Sequence, residues 1–320
     1  MAASASATDV WRVSALYTYP VKSCQGVLLA ASEIGRTGLQ YDRQWMIVST
    51  TTGRFVTQRQ QPRLALIQVQ IDQQANRLTL QAPSMPQKLH VPLIAPPTTA
   101  STTDQQQHSV RVWYDTVSGI CCGASAAQWL TEYIGKPVRL LRKDPETPRH
   151  VSRYVPADCT ERPQAAFADV FPLHLTTTPS LRHVNARLAR PLEHLNFRPN
   201  IVLDSETGQA YDEESWKAVE FTGHEHQGQQ RQRRQESWRL LVASRTPRCS
   251  MPNVDLATGQ MHKDGEPMAT LRTFRCVDPG KPTFVCFGMQ AAPQHSGPTI
   301  RIGDLAWVVA RGHHELTEPL

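Results

Sequence analysis

Along residues 11–19, WRVSALYTY, apolar and polar side chains roughly alternate, and the same two-residue period recurs at 44–48, 54–58, 64–71, 77–80 and 110–113. A period of two sends successive side chains to opposite faces, so these runs predict strands with one buried face. Thr51-Thr52-Gly53 has the composition of a tight hairpin turn, and Pro62 limits where pairing begins after it. The first half therefore reads as a twisted antiparallel sheet or barrel. One helix is marked within it, with Ser125 as N-cap, Ala126, Trp129, Leu130, Tyr133 and Ile134 at helical spacing, and Gly135-Lys136-Pro137 to end it.

A Pro-rich and charged stretch, 142–163, separates this half from the next and places a domain boundary near residue 150, giving units 8–150 and 151–320. The second unit opens with FADVFPLHLTTTPSLRHVNARL (167–188), a strand-like run followed by a helix that starts at Thr178-Pro179 and aligns Leu181, Val184 and Leu188. Strands are expected again at 201–203, 218–221, 238–243 and 299–302, and RIGDLAWVV (301–309) predicts a closing hairpin about Gly303-Asp304. The fold class is mainly β with α (α+β) and a few peripheral helices.

The chain has 320 residues, of which 40% are hydrophobic and 19% charged, enough to bury a sizeable core and too balanced for extended disorder. No apolar run approaches the ~18 residues that cross a bilayer. The opening MAASASATDV lacks a secretory n-region and h-region, so no membrane span and a cytoplasmic location are expected. Seven cysteines, without zinc-type pairs, read as thiols in a reducing compartment. The formal charge of +6 owes part of its excess to a Gln/Arg-rich loop at 222–237. That loop interleaves no aromatic residue for base stacking, so it reads as a solvated segment and no nucleic acid is expected as a partner.

Chemistry concentrates in TPRCSMPNVDLATGQMHKDGEP (246–267). Arg245 and Arg248 flank Cys249 with positive charge, which favours the thiolate that binds soft metals. Asp255 is placed to support the site through hydrogen bonds, and Gly259 permits a sharp turn. The twelve histidines show no HExxH or paired spacing, so zinc has little support.

These residues resemble the MOSC proteins, named after the C-terminal domain of molybdenum cofactor sulfurase. YPVKSC (19–24), DRQWMIV (42–48) and TQRQQPRLALI (57–67) are similar to the family's N-terminal β-barrel domain. FADVFP, NFRPNIV (196–202), TPRCSMPNVDLATG and PMATLRTFR (267–275) continue the likeness through the MOSC β-barrel domain, in the family's order. The pattern is most like the two-domain type that includes the mitochondrial amidoxime-reducing component and its bacterial relatives.

That resemblance implies a molybdenum cofactor, Mo-molybdopterin, held by Cys249 as the protein ligand to the metal, and reduction of N-hydroxylated compounds such as amidoximes and hydroxylamines by N–O cleavage. It makes Cys249 and Asp255 the catalytic candidates. Lys22, Ser23, Arg43, Thr177, Ser180, Arg198, Asn200 and Arg248 become cofactor-binding candidates, since ammonium, guanidinium, hydroxyl and helix-start groups suit a terminal phosphate. Arg198 and Asn200, two apart in a strand-like run, are expected on one face. No hydrophobic anchor and no ferredoxin-like extension accompany the motifs, so electrons are expected from a separate donor, a cytochrome b5-type protein with its NADH-dependent reductase. The family also leaves a mitochondrial association open. The competing reading is a cofactor carrier or sulfur-transfer module without turnover. It is disfavoured because the pyridoxal-phosphate-dependent desulfurase domain found beside some MOSC domains has no counterpart, which also makes pyridoxal phosphate an unexpected cofactor.

Overall fold

A computed structural model of the chain describes residues 10–94, 106–222 and 237–317. The Gln/Arg-rich loop lies outside the described residues except for its two end positions. The molecule is mainly β, with three short α-helices among the described residues.

Seven strands close into a barrel. In order around it they are Ile201–Asp204, Leu173–Thr177, Cys286–Pro293, Trp238–Pro247, Trp216–Thr222, Leu305–Arg311 and Val10–Thr18, and the last pairs back onto the first. Closure removes exposed strand edges and packs the inward side chains against one another. Trp11, Val13, Leu16, Leu175, Leu203, Trp216, Phe221, Leu240 and Met289 form that interior. The indoles of Trp11 and Trp216 meet edge to face, with centroids 4.9 Å apart. In Val10–Thr18 the pairing register shifts between Val13 and Ala15. This bulge moves the buried face from Trp11 and Val13 to Leu16 and Thr18, which is why the alternation in the sequence is imperfect.

The rest of the first half builds a four-stranded sheet, Trp45–Ser49, Val138–Lys143, Asp115–Cys121 and Gln107–Val112, and a three-stranded sheet, Gln68–Asp72, Arg77–Gln81 and Leu89–Pro92. Helix Ala124–Ile134 contributes Ala126, Trp129, Leu130 and Tyr133 to a second core with Trp45, Ile47, Leu64, Leu78 and Leu140. Its C-cap is Gly135 in the left-handed region, as expected. Its N-cap is Gly123, without a side-chain bond, rather than Ser125.

Three further expectations are corrected. Residues 64–66 of the expected strand 64–71 belong to a 3-10 turn, Pro62–Leu66, and pairing starts only at Gln68. The run 54–58 makes one isolated bridge, Phe55 to Val48, and no strand. The Gly303-Asp304 turn does not close a hairpin. Thr299–Arg301 pairs with Ala31–Gly35, while Leu305–Arg311 pairs with Val10–Thr18 and Trp216–Thr222.

These pairings tie the two halves of the sequence together, because the first strand completes the barrel of the second half. No helix among the described residues is long and apolar enough to cross a membrane.

The pairing carries a prediction. A fragment of residues 151–320 lacks the strand that closes the barrel and leaves the edges of Ile201–Asp204 and Leu305–Arg311 unpaired. Monitored by circular dichroism, it is expected to aggregate or to melt without cooperativity, and sharp two-state melting near the full chain's temperature would contradict this.

Candidate active site

The strand Trp238–Pro247 runs directly into Arg248 and Cys249, and a 3-10 turn, Met251–Asn253, follows at once. Arg248 is fixed by its backbone N–H donating to Val285 O at 2.8 Å, so the next residue is delivered at a strand end and not within a pairing ladder. Cys249 is exposed there. It lines the edge of a cavity of about 410 Å³ whose walls come from both halves of the chain. Among the sequence candidates, Lys22, Ser23, Arg43, Arg198, Asn200, Arg248 and Cys249 all line this cavity.

Each is held by identifiable partners. Lys22 is buried, with Nζ donating to Asp169 Oδ1 at 2.6 Å and Phe167 O at 2.8 Å. Burial pulls the Lys22 ammonium below the usual lysine range, and the Asp169 carboxylate opposes that. For Asp169 the balance runs the other way. Crowding by neighbours works against its charge, but its side chain is 57% exposed, and Lys22 and the Trp113 indole N–H, at 2.8 Å, hold it well below the normal carboxylate range.

Arg43 Nη1 donates to the Asp42 carboxylate, at 2.6 and 2.7 Å, and to Asn200 Oδ1 at 3.0 Å. Its guanidinium lies 4.3 Å from the Tyr19 ring centre, and that of Arg198 lies 4.2 Å from the same ring. Burial, and then the nearby Arg43 charge, lower Arg198 to about 10.

Arg198 donates to Cys24 O at 2.7 Å, and Arg248 to Phe197 O at 2.9 Å. Neither forms an ion pair among the described residues, in contrast to Lys22, Arg43 and Arg149. Seven cationic side chains line the cavity against two carboxylates. A buried charge without a counterion is costly, so the arrangement is suited to an anionic ligand. Thr246, Gln290 and Arg248 also line the cavity, and Thr246 Oγ1, Gln290 Oε1 and Arg248 Nε are buried beside it without a hydrogen-bond partner. A polar ligand would satisfy them.

Other candidates are placed elsewhere or play another part. Thr177 and Ser180 are fully buried outside this cavity, their hydroxyls 3.0 and 2.9 Å from Glu213 Oε2, and Thr177 caps helix Thr178–Asn185 through Ser180 N. Burial pushes the Glu213 carboxyl up. The two hydroxyls therefore serve an internal network rather than an anion site. Asp255 Oδ1 accepts from Ala257 N at 2.9 Å and Thr258 N at 3.0 Å, closing the turn to Gly259, and it does not line the cavity.

Arg198 and Asn200 precede the strand that starts at Ile201, and Arg198 has φ +57°, so the strand-face argument for them is replaced by a loop. The Asn200 amide is used internally. It accepts from His174 N at 3.1 Å and donates to Tyr17 O and Asp42 Oδ1. Asp169, Arg149, Tyr19, Asp42 and His174 were not singled out from sequence. The FADVFP motif contains Asp169, but nothing local marks it as the partner of Lys22.

A mainly β protein with an anion-suited cavity between its halves and an accessible thiol at the cavity edge is the class that fold and site define. Residues 10–137 match the MOSC N-terminal beta barrel domain and residues 162–306 the MOSC domain. The chain belongs to the MOSC family. It is 31% identical over 312 residues to mitochondrial amidoxime-reducing component 1 of Mus musculus, covering 95% of this chain and 84% of that protein. Against the Homo sapiens protein of the same name the identity is 30% with the same coverage. Against mitochondrial amidoxime reducing component 2 of Bos taurus it is 30%, covering 92% of this chain and 82% of that protein. Membership supports a molybdenum-cofactor-related function.

The site generates a pH prediction. His174 is buried, and burial, with Arg248 next, holds its imidazole well below the usual range. Below about pH 6.5 the unfolded chain takes up a proton that the folded His174 refuses, so folding stability falls as pH drops. The slope is about 1.4 kcal/mol per pH unit for one such group. His174→Gln should lose that share of the slope between pH 6.5 and 5, as read by urea unfolding. An unchanged slope would count against a neutral buried His174.

Proposed function

We propose that the chain holds a molybdenum cofactor through Cys249 and reduces N-hydroxylated compounds, amidoximes and hydroxylamines, by cleaving the N–O bond. The observation that carries this reading is the single cavity on which the exposed thiol converges with Lys22, Arg43, Arg198 and Arg248.

The residues present fit such a group. Among the described residues no cluster of three or more His, Cys, Asp or Glu could hold a metal. A metal here would therefore take one protein ligand, the Cys249 sulfur, and its remaining coordination from a carrier such as a pterin dithiolene. Arg198 and Arg248 offer unpaired positive charge to the carrier's phosphate, and Lys22 offers an ammonium that Asp169 now occupies. Thr246, Gln290 and Arg248 Nε offer the polar contacts a heterocycle needs.

When bound, the cofactor supplies a metal that exchanges two electrons with the substrate. The chain's share is to fix the sulfur at a strand end, hold the anionic tail in the cavity and leave Cys249 open to approach. N–O cleavage consumes two electrons and two protons and releases water. The electrons come from a separate donor, for which a cytochrome b5-type protein and an NADH-dependent reductase are the working choice. The relatives are named for amidoxime reduction, which supports this substrate class.

The test compares wild type with Cys249→Ser and Cys249→Ala. Both variants are expected to keep the circular dichroism spectrum while molybdenum content drops and benzamidoxime reduction falls by about 100-fold or more. Full activity in Cys249→Ala rejects the assignment. Wild type that carries molybdenum and pterin yet does not turn over with a reconstituted donor indicates a carrier.

A further inference from the structure

Cys249 lines two cavities. Besides the one described, a second of about 340 Å³ is lined by Cys249 with Ser250, Asn253, Gly265, Met268, Ala269 and Arg272, and Cys249 is the one lining residue the two have in common. A group held on the thiol is therefore reachable from two sides that differ in chemistry.

We propose that the second cavity receives the organic body of the N-hydroxylated substrate, and that Arg272 selects substrates bearing a carboxylate or similar anion at that end. This rests on the reading under Proposed function. The larger cavity has its buried guanidinium charge and unpartnered polar atoms arranged for a resident anion, which leaves the other side of Cys249 for a molecule that must enter and leave.

The second cavity is open to the surface, with an apolar wall in Met268 and Ala269. That wall is fixed to the turn after the cysteine. Asn253 Oδ1 accepts from Met268 N at 3.1 Å, His262 N donates to Asn253 O at 2.7 Å, and Ala269 N donates to Gly265 O at 3.0 Å. Arg272 is exposed and makes no ion pair among the described residues. The nearby Glu266 carboxylate is instead held by Thr270, through N at 3.1 Å and Oγ1 at 3.0 Å. One free cation beside an apolar wall matches an apolar body with a distal anion.

The experiment uses cofactor-loaded full chain with its electron donors and compares benzamidoxime with 4-carboxybenzamidoxime. Ala269→Trp fills the cavity from an exposed position, with Ala269→Leu as a milder second variant. Both are expected to raise KM for both substrates, by about tenfold for Trp, with molybdenum and pterin content unchanged. Arg272→Ala should raise KM for the carboxylated substrate alone, by about threefold to fivefold at low salt, with the difference vanishing at high salt. Calorimetric titration of 4-carboxybenzamidoxime into the same proteins should show matching losses of affinity. Unchanged KM and affinity in the Ala269 variants, with cofactor in place, overturn the subsite while leaving the parent reading intact. Equal effects of Arg272→Ala on both substrates overturn the anion selectivity. Wild type that loads no molybdenum overturns the parent reading, and the subsite with it.

Discussion

Two guanidinium groups from opposite halves of the chain share one tyrosine ring, and the site is built around that stack. Arg43 and Arg198 lie 4.3 and 4.2 Å from the centre of the fully buried Tyr19 ring, while Asp42 neutralises Arg43 and donors from Tyr19 N and Asn200 Nδ2 hold Asp42 in turn. Like charges at this spacing repel. The arrangement persists because the ring faces attract both cations and the carboxylate behind them is fully hydrogen-bonded. The Asn200 amide joins the first barrel strand, the Asp42 turn and the His174 strand, so polar bonds lock the two halves together beside the cavity.

The same constraint shows in the backbone. Ser23, Arg43 and Arg198 all take positive φ, at 70°, 47° and 57°, in a region that non-glycine residues rarely occupy. Each such residue costs about 1–3 kcal/mol, and such strain clusters where the surroundings over-determine a functional geometry. Here all three line the one cavity, and each is clamped by a contact from a distant segment: Gln58 on Ser23 O, Tyr19 O on Arg43 N, and Cys24 O on the Arg198 guanidinium. The strain aims cationic side chains that a regular strand would have directed alternately in and out.

Local chemistry was legible in the sequence, and long-range partnership was not. Cys249 stands out in the sequence because its corner, Thr-Pro-Arg-Cys before a short turn, is a contiguous signal, and strands are legible wherever one face is buried. Thr177 and Ser180 suggest an anion site because a hydroxyl at a helix start reads the same whether it caps the helix or binds phosphate. The buried Glu213, 36 and 33 positions away, takes both hydroxyls in this structure. Asp255 is ambiguous for a related reason, since an Asp four residues before a glycine can close its own turn, as its bonds to Ala257 N and Thr258 N do. The Lys22 to Asp169 pair spans 147 residues, and no periodicity could join them. The closing hairpin was misread because its turn is real, yet its flanking strands find other partners in the completed barrel.

How the fold selects one sulfur among seven follows from placement rather than spacing. Burial pushes Cys24, Cys122 and Cys286 up to about 12, which keeps those thiols protonated and inert. Cys286 makes the point most directly, because it pairs with Pro247, two residues before Cys249, on the adjacent strand. One strand carries its cysteine into the ladder and seals it. Its neighbour ends at Pro247, makes one further bond from Arg248 N to Val285 O, and then the chain turns outward. The accessible thiol is thus a consequence of where a strand is made to stop.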